Sequence, residues 1–190
     1  MLGPILFGER VRLGAPDTTM LPTFIRWLAD PDVSRYLGMG FPPSEAMEQE
    51  WFDRTARSEA DIVWAVWATD QGDGPKLIGT TGIHRIDWRN RNAITGNLIG
   101  EKSEWGKGYG SEVVALRTRY AFEQLNLEKV MTEAFTENRG SIRALEKAGY
   151  RQNGVKRRHV YRHGRWHDFW TADLLREEWE AAQRGRPEGV

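Results

Sequence analysis

The sequence predicts a mixed α/β (α+β) fold, in which a central, mostly antiparallel twisted sheet is flanked by helices. Two observations predict it. Segments at 62–68, 76–86 and 93–99 are rich in β-branched and aromatic residues and are separated only by polar turns, as successive antiparallel strands are. Around that block lie stretches whose apolar residues recur at helical spacing, and a glycine-rich turn at 104–112 joins the last of these strands to the longest of those helices.

Taken in order, Arg10, Val11, Arg12 and Leu13 alternate charged and apolar side chains, the pattern of a half-buried strand. Asp17 is placed to cap a helix on which Leu21, Phe24, Ile25 and Leu28 share a face, with Pro22 in its first turn. Asp30-Pro31 interrupts the chain before a short segment around Val33, Tyr36 and Leu37. A second helix is expected over 44–57, with Met47, Trp51 and Phe52 turned inward. Residues 62–68 read as a buried strand, Gln71-Gly72-Asp73-Gly74-Pro75 as a turn, and 76–86 as the antiparallel return. Arg89-Asn90-Arg91-Asn92 leads into a strand over 93–99. The helix over 109–125 carries a stripe of Val113, Leu116 and Tyr120, widened by Val114, Ala121 and Leu125. A strand at 129–135 and a short helix at 140–148 follow, the helix burying Ile142 and Leu145 and ending at Gly149. Strands at 154–161 and 166–174 surround the turn His163-Gly164, and a last helix covers 177–183.

With 190 residues the chain builds one core, so a single domain is expected over 1–183, with 184–190 as a frayed tail. Its 27 lysines and arginines balance 27 acidic residues, leaving no net field to draw it to nucleic acid or an anionic membrane. The local run of Arg151, Lys156, Arg157, Arg158, Arg162 and Arg165 reads mainly as a solvated hairpin surface. The absence of cysteine excludes disulfides, thiol nucleophiles and cysteine-ligated metals. No membrane span or secretory leader is visible, which sets a cytoplasmic location as the expectation. His159, His163 and His167 lie around one hairpin with no clear set of completing ligands, and no metal site is expected.

Chemistry enters at Glu104-Trp105-Gly106-Lys107-Gly108-Tyr109-Gly110-Ser111-Glu112. Glycine reaches backbone angles that other residues avoid and lets a ligand approach the chain closely. The first amides of a helix lack internal acceptors, so a glycine turn at a helix start suits an anion such as a pyrophosphate. A nucleoside-triphosphate loop needs serine or threonine after its lysine, and Lys107 is followed by Gly108. A dinucleotide fingerprint has a longer glycine spacing than Gly106-x-Gly108-x-Gly110. On these residues alone a glycine turn with no ligand stays open.

Trp105 through Gly110 resembles the acetyl-coenzyme A loop of the GCN5-related N-acetyltransferase (GNAT) superfamily, Arg/Gln-x-x-Gly-x-Gly/Ala. Gly108 and Gly110 match, while Trp105 replaces the usual arginine or glutamine. The local wording is similar to the branch containing the ribosomal-protein N-terminal acetyltransferases, and that similarity runs from Arg10 to Trp170. Asn138-Arg139-Gly140-Ser141, with Lys147-Ala148-Gly149-Tyr150 at the end of the same segment, resembles the family's Asn-x-x-Ser/Ala run closing in Lys-x-Gly-Phe/Tyr. The resemblance implies the GNAT fold, with the strands at 93–99 and 129–135 splayed to admit the pantetheine arm of acetyl-coenzyme A. It places cofactor contacts at Asn97, Leu98 and Ile99, along Trp105, Gly106, Lys107, Gly108, Tyr109, Gly110 and Ser111, and at Asn138 and Ser141. It also implies a homodimer and an amine acceptor, with a slight preference for a polypeptide N-terminal α-amine. A small-molecule amine (a polyamine, an aminoglycoside or a biosynthetic intermediate) is the alternative. A catalytically weak acyl-coenzyme A-binding protein is a third reading, because Thr95 and Leu145 stand where the family commonly has a carboxylate and a tyrosine.

Direct attack of an amine on a thioester needs an oxyanion donor, a base and a proton for the leaving sulfur. The resemblance points to the backbone amide near Leu98 as oxyanion donor and to Ser141 as proton donor, with a helix cap as the competing role for the serine. The hydroxyl of Tyr150 is a further donor, although core packing suits it better. Glu133, Asp87 and His84 are candidate bases, Glu133 and His84 each competing with a structural role and Asp87 with a turn or substrate contact. Trp27, Tyr36, Phe41, Trp51, Asp87, Trp88 and Thr95 are candidates for acceptor contacts, with core burial the alternative for the tryptophans.

Overall fold

Residues 62–68 carry no charged side chain, and the sheet is built outward from them in the computed structural model, which describes residues 1–38 and 41–185. Ile62–Ala68 (β3) pairs with Val11–Gly14 (β2), and β2 with the short Leu6–Phe7 (β1), which sequence periodicity did not signal. On its other side β3 pairs with Lys76–Asp87 (β4), and β4 with Asn92–Ile99 (β5). Lys129–Phe135 (β6), Arg165–Leu175 (β8) and Arg151–Arg162 (β7) complete an eight-stranded sheet in the order β1-β2-β3-β4-β5-β6-β8-β7. Every neighbouring pair is antiparallel except β5 and β6. Parallel neighbours need a crossover, and the helix Tyr109–Glu123 (α4) supplies it.

Alternation along β3 divides the core in two. Trp64, Val66 and Ala68 face the larger cluster, where Val113, Val114, Ala121 and Phe122 of α4 pack with Ile142 and Leu145 of Arg139–Lys147 (α5). Ala65 and Trp67 face the smaller cluster, built from Leu21, Phe24 and Trp27 of Leu21–Ala29 (α1), Val33 of Pro31–Ser34 (α2), and Trp51 and Phe52 of Glu45–Arg57 (α3). Arg176–Arg184 (α6) closes the chain, its Trp179 against Phe122. Asp17 caps a 3-10 turn that feeds α1, and Ser44 caps α3, as their residue types predict.

The structure corrects the inward face of α3. Met47 is exposed and Glu48 is buried, at 7% exposure. Positions 48, 51, 52 and 55 are spaced by one helical turn, so the buried stripe passes through the glutamate and not through the methionine beside it. Arg184, expected in the frayed tail, ends α6, and 186–190 lie outside the described residues.

The feature that positions the site is the divergence of β5 and β6. They pair only at Asn92↔Lys129, Ala93↔Val130 and Ile94↔Met131. Beyond that point β5 stays with β4 as far as Ile99, and β6 stays with β8 as far as Phe135. Each strand keeps its outer partner, and the gap opens between them. Thr132 Oγ1 donates to Thr95 O at 3.1 Å and Thr95 Oγ1 donates to Met131 O at 3.2 Å, pinning the fork.

Candidate active site

The glycine turn meets this gap at the start of α4. Gly106 and Gly108 have φ of 77° and 94°, the left-handed region that penalises any residue with a Cβ, and Gly108 is the N-cap of α4. The backbone amides of Gly106, Lys107, Gly108, Tyr109 and Gly110 have no acceptor among the described residues, whereas those of Ser111 and Glu112 bond back to Gly108 O. Open amides at the positive end of a helix dipole are suited to cradle an anion.

The cradle is held by the strands behind it. Arg10 Nη1 donates to Lys107 O at 2.9 Å, and its guanidinium lies 4.6 Å from the centre of the Tyr109 ring. Tyr109 Oη donates to Asp70 at 2.5 Å, and Glu112 Oε1 accepts from the amides of Arg10 and Val11 at 2.8 and 3.2 Å. The buried carboxylate of Glu104 takes both Lys76 and Lys107, at 2.8 and 2.9 Å, and those ammonium groups hold its pKa below the usual range. Two expected contacts change accordingly. Tyr109 is buried, so only its backbone amide faces a ligand, and the Lys107 ammonium is engaged by Glu104.

The phase of β5 decides which backbone groups face the gap. Gly100 N–H donates to Ile78 O, and in an antiparallel pair this direction alternates residue by residue. Gly96 and Leu98 therefore turn their amides and carbonyls toward β4, while Thr95, Asn97 and Ile99 turn theirs toward the gap. The Leu98 amide, expected as the oxyanion donor, points toward β4, and the neighbouring amides of Asn97 and Ile99 are the ones that face the gap. Ile99 O already accepts Trp105 Nε1 at 2.8 Å, so the half-exposed Trp105 caps one end of the gap.

The Leu98 side chain instead enters a cavity of about 170 Å³ between the sheet and α1 and α3. Phe24, Trp27, Leu28 and Trp51 form its apolar wall with Leu98, and the polar groups are Thr80 and Glu48. The Glu48 carboxylate makes no hydrogen bond or ion pair with any described residue, and burial pushes its pKa up. Trp27 Nε1 is buried without an acceptor among the described residues. A shallower depression of about 410 Å³ at Arg157, Arg158 and Asp168 lies on the outer β7–β8 hairpin, away from the forked strands and the cradle.

Of the acceptor candidates, the structure brings Trp27 and Trp51 together in this cavity. Tyr36 packs on Phe135 at the end of β6, its ring 5.6 Å from that of Phe135. The others lie elsewhere. Thr95 is buried on the α4 face and bonded to Met131 O and Tyr150 Oη. Asp87 is a turn carboxylate that accepts from Asn90 N and Nδ2, bonds that lower its pKa. Trp88 is half-exposed and donates to Glu59 O, and Phe41 is exposed.

The bases expected from sequence are occupied. His84 lies opposite Ile94, where β5 and β6 are still paired, and its Nδ1 is 3.2 Å from Asp61. Burial lowers its pKa against the opposing effect of that carboxylate. Glu133 is paired with Lys156. Asn138 caps α5, accepting from Ser141 N at 3.2 Å, and the half-buried Ser141 hydroxyl has no partner among the described residues. Tyr150 Oη sits between Thr95 and Thr118, 3.1 Å from each, sealed in the core.

A glycine turn with open amides at a helix start, beside a forked strand pair and with a small cavity on one face of the sheet, is the scaffold of an acyl-transfer enzyme. The chain belongs to the GNAT acetyltransferase family: the acetyltransferase (GNAT) domain matches residues 10–151. It is 29% identical over 167 residues to the uncharacterized N-acetyltransferase YoaA of Bacillus subtilis, covering 85% of this chain and 90% of that one. YdaF of Bacillus subtilis, provisionally named a ribosomal N-acetyltransferase, is 35% identical over 104 residues, 55% of this chain and 56% of its own. The same fold occurs in the spermidine N-acetyltransferase of Vibrio cholerae, solved with CoA and spermine, at TM-score 0.83 and 19% identity over 91% of this chain and 99% of that one.

Proposed function

We propose that this protein transfers the acetyl group of acetyl-coenzyme A to a primary amine by direct attack within a ternary complex. The observation that carries this reading is the set of acceptor-free amides from Gly106 to Gly110 beside the gap between β5 and β6. The cradle takes the pyrophosphate, and the gap takes the pantetheine, whose amides pair with the free edge of β5 at Asn97. The chain's residues then act by placement. An amide of Asn97 or Ile99 donates to the oxygen of the attacked carbonyl, and the Ser141 hydroxyl supplies a proton to the departing sulfur. Attack requires the amine to lose a proton, which a carboxylate facing the acceptor provides for.

The small volume and apolar wall of the cavity favour a small-molecule amine over a polypeptide end, against the slight preference suggested by sequence resemblance. The provisional ribosomal name of YdaF supports the protein alternative, and the Vibrio cholerae complex supports a small amine. G108W tests the cradle: the left-handed φ of Gly108 disfavours any side chain, and the indole would occupy the anion position. Calorimetry should show acetyl-coenzyme A affinity falling at least about 100-fold, close to 3 kcal/mol, with a folded circular-dichroism spectrum. Unchanged affinity would remove the assignment.

A further inference from the structure

We propose that the cavity between the sheet and helices α1 and α3 is the acceptor site for a compact monoamine, a single ammonium on an apolar or aromatic body. In this assignment Glu48 binds that ammonium and takes its proton. The proposal rests on the acetyl-transfer reading above and names the substrate class of the same site. Three features of the cavity support it.

The first is the state of Glu48. It is 7% exposed, lines the cavity, and has no hydrogen-bond or ion-pair partner among the described residues. The other well-buried carboxylate, Glu104, holds two lysines. Partial burial without a counter-charge disfavours the ionised carboxylate, and a ligand cation offsets that penalty. The second is the wall. Trp27 and Trp51 line the cavity with aromatic surface that suits an apolar or aromatic body. The third is size and charge. About 170 Å³ is smaller than the cavities of roughly 300–1,000 Å³ that hold drug-sized ligands. Glu48 is the only ionisable side chain in the described wall, so a second ammonium of a polyamine would find no counter-ion there.

Position links the cavity to the reaction. Leu98 lines it from β5, the strand whose opposite edge borders the gap. The ammonium gives one proton to the Glu48 carboxylate and becomes a neutral amine. Its nitrogen lone pair then forms the bond to the thioester carbonyl carbon as the carbon–sulfur bond breaks. The sulfur leaves as thiol with the proton of the Ser141 hydroxyl, the second nitrogen proton restores that hydroxyl as the amide forms, and the proton held on Glu48 returns to water.

The test uses the full chain with acetyl-coenzyme A, following free-thiol release and product mass with 2-phenylethylamine, spermidine and an alanine-initiated tetrapeptide. kcat/KM for 2-phenylethylamine should exceed that for each of the others by at least about tenfold. E48Q, which keeps the shape of the side chain, should lower it about 100-fold while coenzyme A affinity by calorimetry stays within about twofold. Independently of any variant, 2-phenylethylammonium should saturably perturb the tryptophan fluorescence of the wild-type chain. Preference for spermidine or the peptide, or an E48Q effect below about threefold, overturns the acceptor assignment. If coenzyme A still binds and another amine is still acetylated in that case, the acetyl-transfer reading stands. Absence of coenzyme A binding overturns both.

Discussion

Asp70 accepts from Tyr109 Oη at 2.5 Å and from Arg10 Nε at 2.8 Å, and those donors, Tyr109 first, hold its pKa down to about 2. The folded-state value lies below the ordinary one of about 3.9, so the contribution of this clasp is complete above that ordinary value and is lost as pH falls toward about 2. D70N should therefore lower Tm by an amount that is constant from about pH 8 to 5 and shrinks below about pH 4. A Tm difference that vanished near neutral pH would show that the clasp does not hold the start of α4. Single residues also mark where sequence reading failed. Glu48 was legible only through helical phase: Trp51, Phe52 and Thr55 share its face, and choosing the apolar Met47 over a charged neighbour follows composition where geometry decides. No local signal distinguishes a committed carboxylate such as Glu133, bound by Lys156, from an unpartnered one.

Between elements, the Tyr150 hydroxyl joins three pieces of the fold. It bridges Thr95 of β5 and Thr118 of α4 from the junction of α5 and β7. Y150F should cost about 1–2 kcal/mol in chemical denaturation, because two buried hydroxyls each lose a partner. Acetyl transfer by the folded variant should stay within about threefold of wild type, since that hydroxyl is sealed away from the gap. A fall in kcat of about 100-fold would instead mark Tyr150 as the proton donor. Element identity was largely readable. The apolar run at 62–68 and the stripe from Val113 to Tyr120 became β3 and α4 because their periods match a strand and a helix. Backbone phase was not readable: a strand sequence does not say whether even or odd residues face a given neighbour, so the expectation at Leu98 fell on an amide that faces β4 and not the gap.

Across the whole molecule, 27 basic and 27 acidic residues leave a formal net charge of zero and an isoelectric point near 6.9. Colloidal solubility should pass through a minimum close to that pH and improve by about pH 8.5, which light scattering at fixed ionic strength would measure. No helix among the described residues is long and apolar enough to cross a membrane. By itself the sequence determined the alternation of strands and helices and the position of the glycine turn at the start of α4. These are local properties, fixed by side-chain period and by which backbone angles glycine permits. Only the tertiary structure decided which side chains meet. The fork between β5 and β6 exists because each strand keeps a different outer partner. The cavity gathers Trp27, Glu48, Trp51, Thr80 and Leu98 from separate elements because α1 and α3 pack across one face of the sheet. Contacts between residues so far apart in the chain depend on how the elements pack, which local periodicity does not encode.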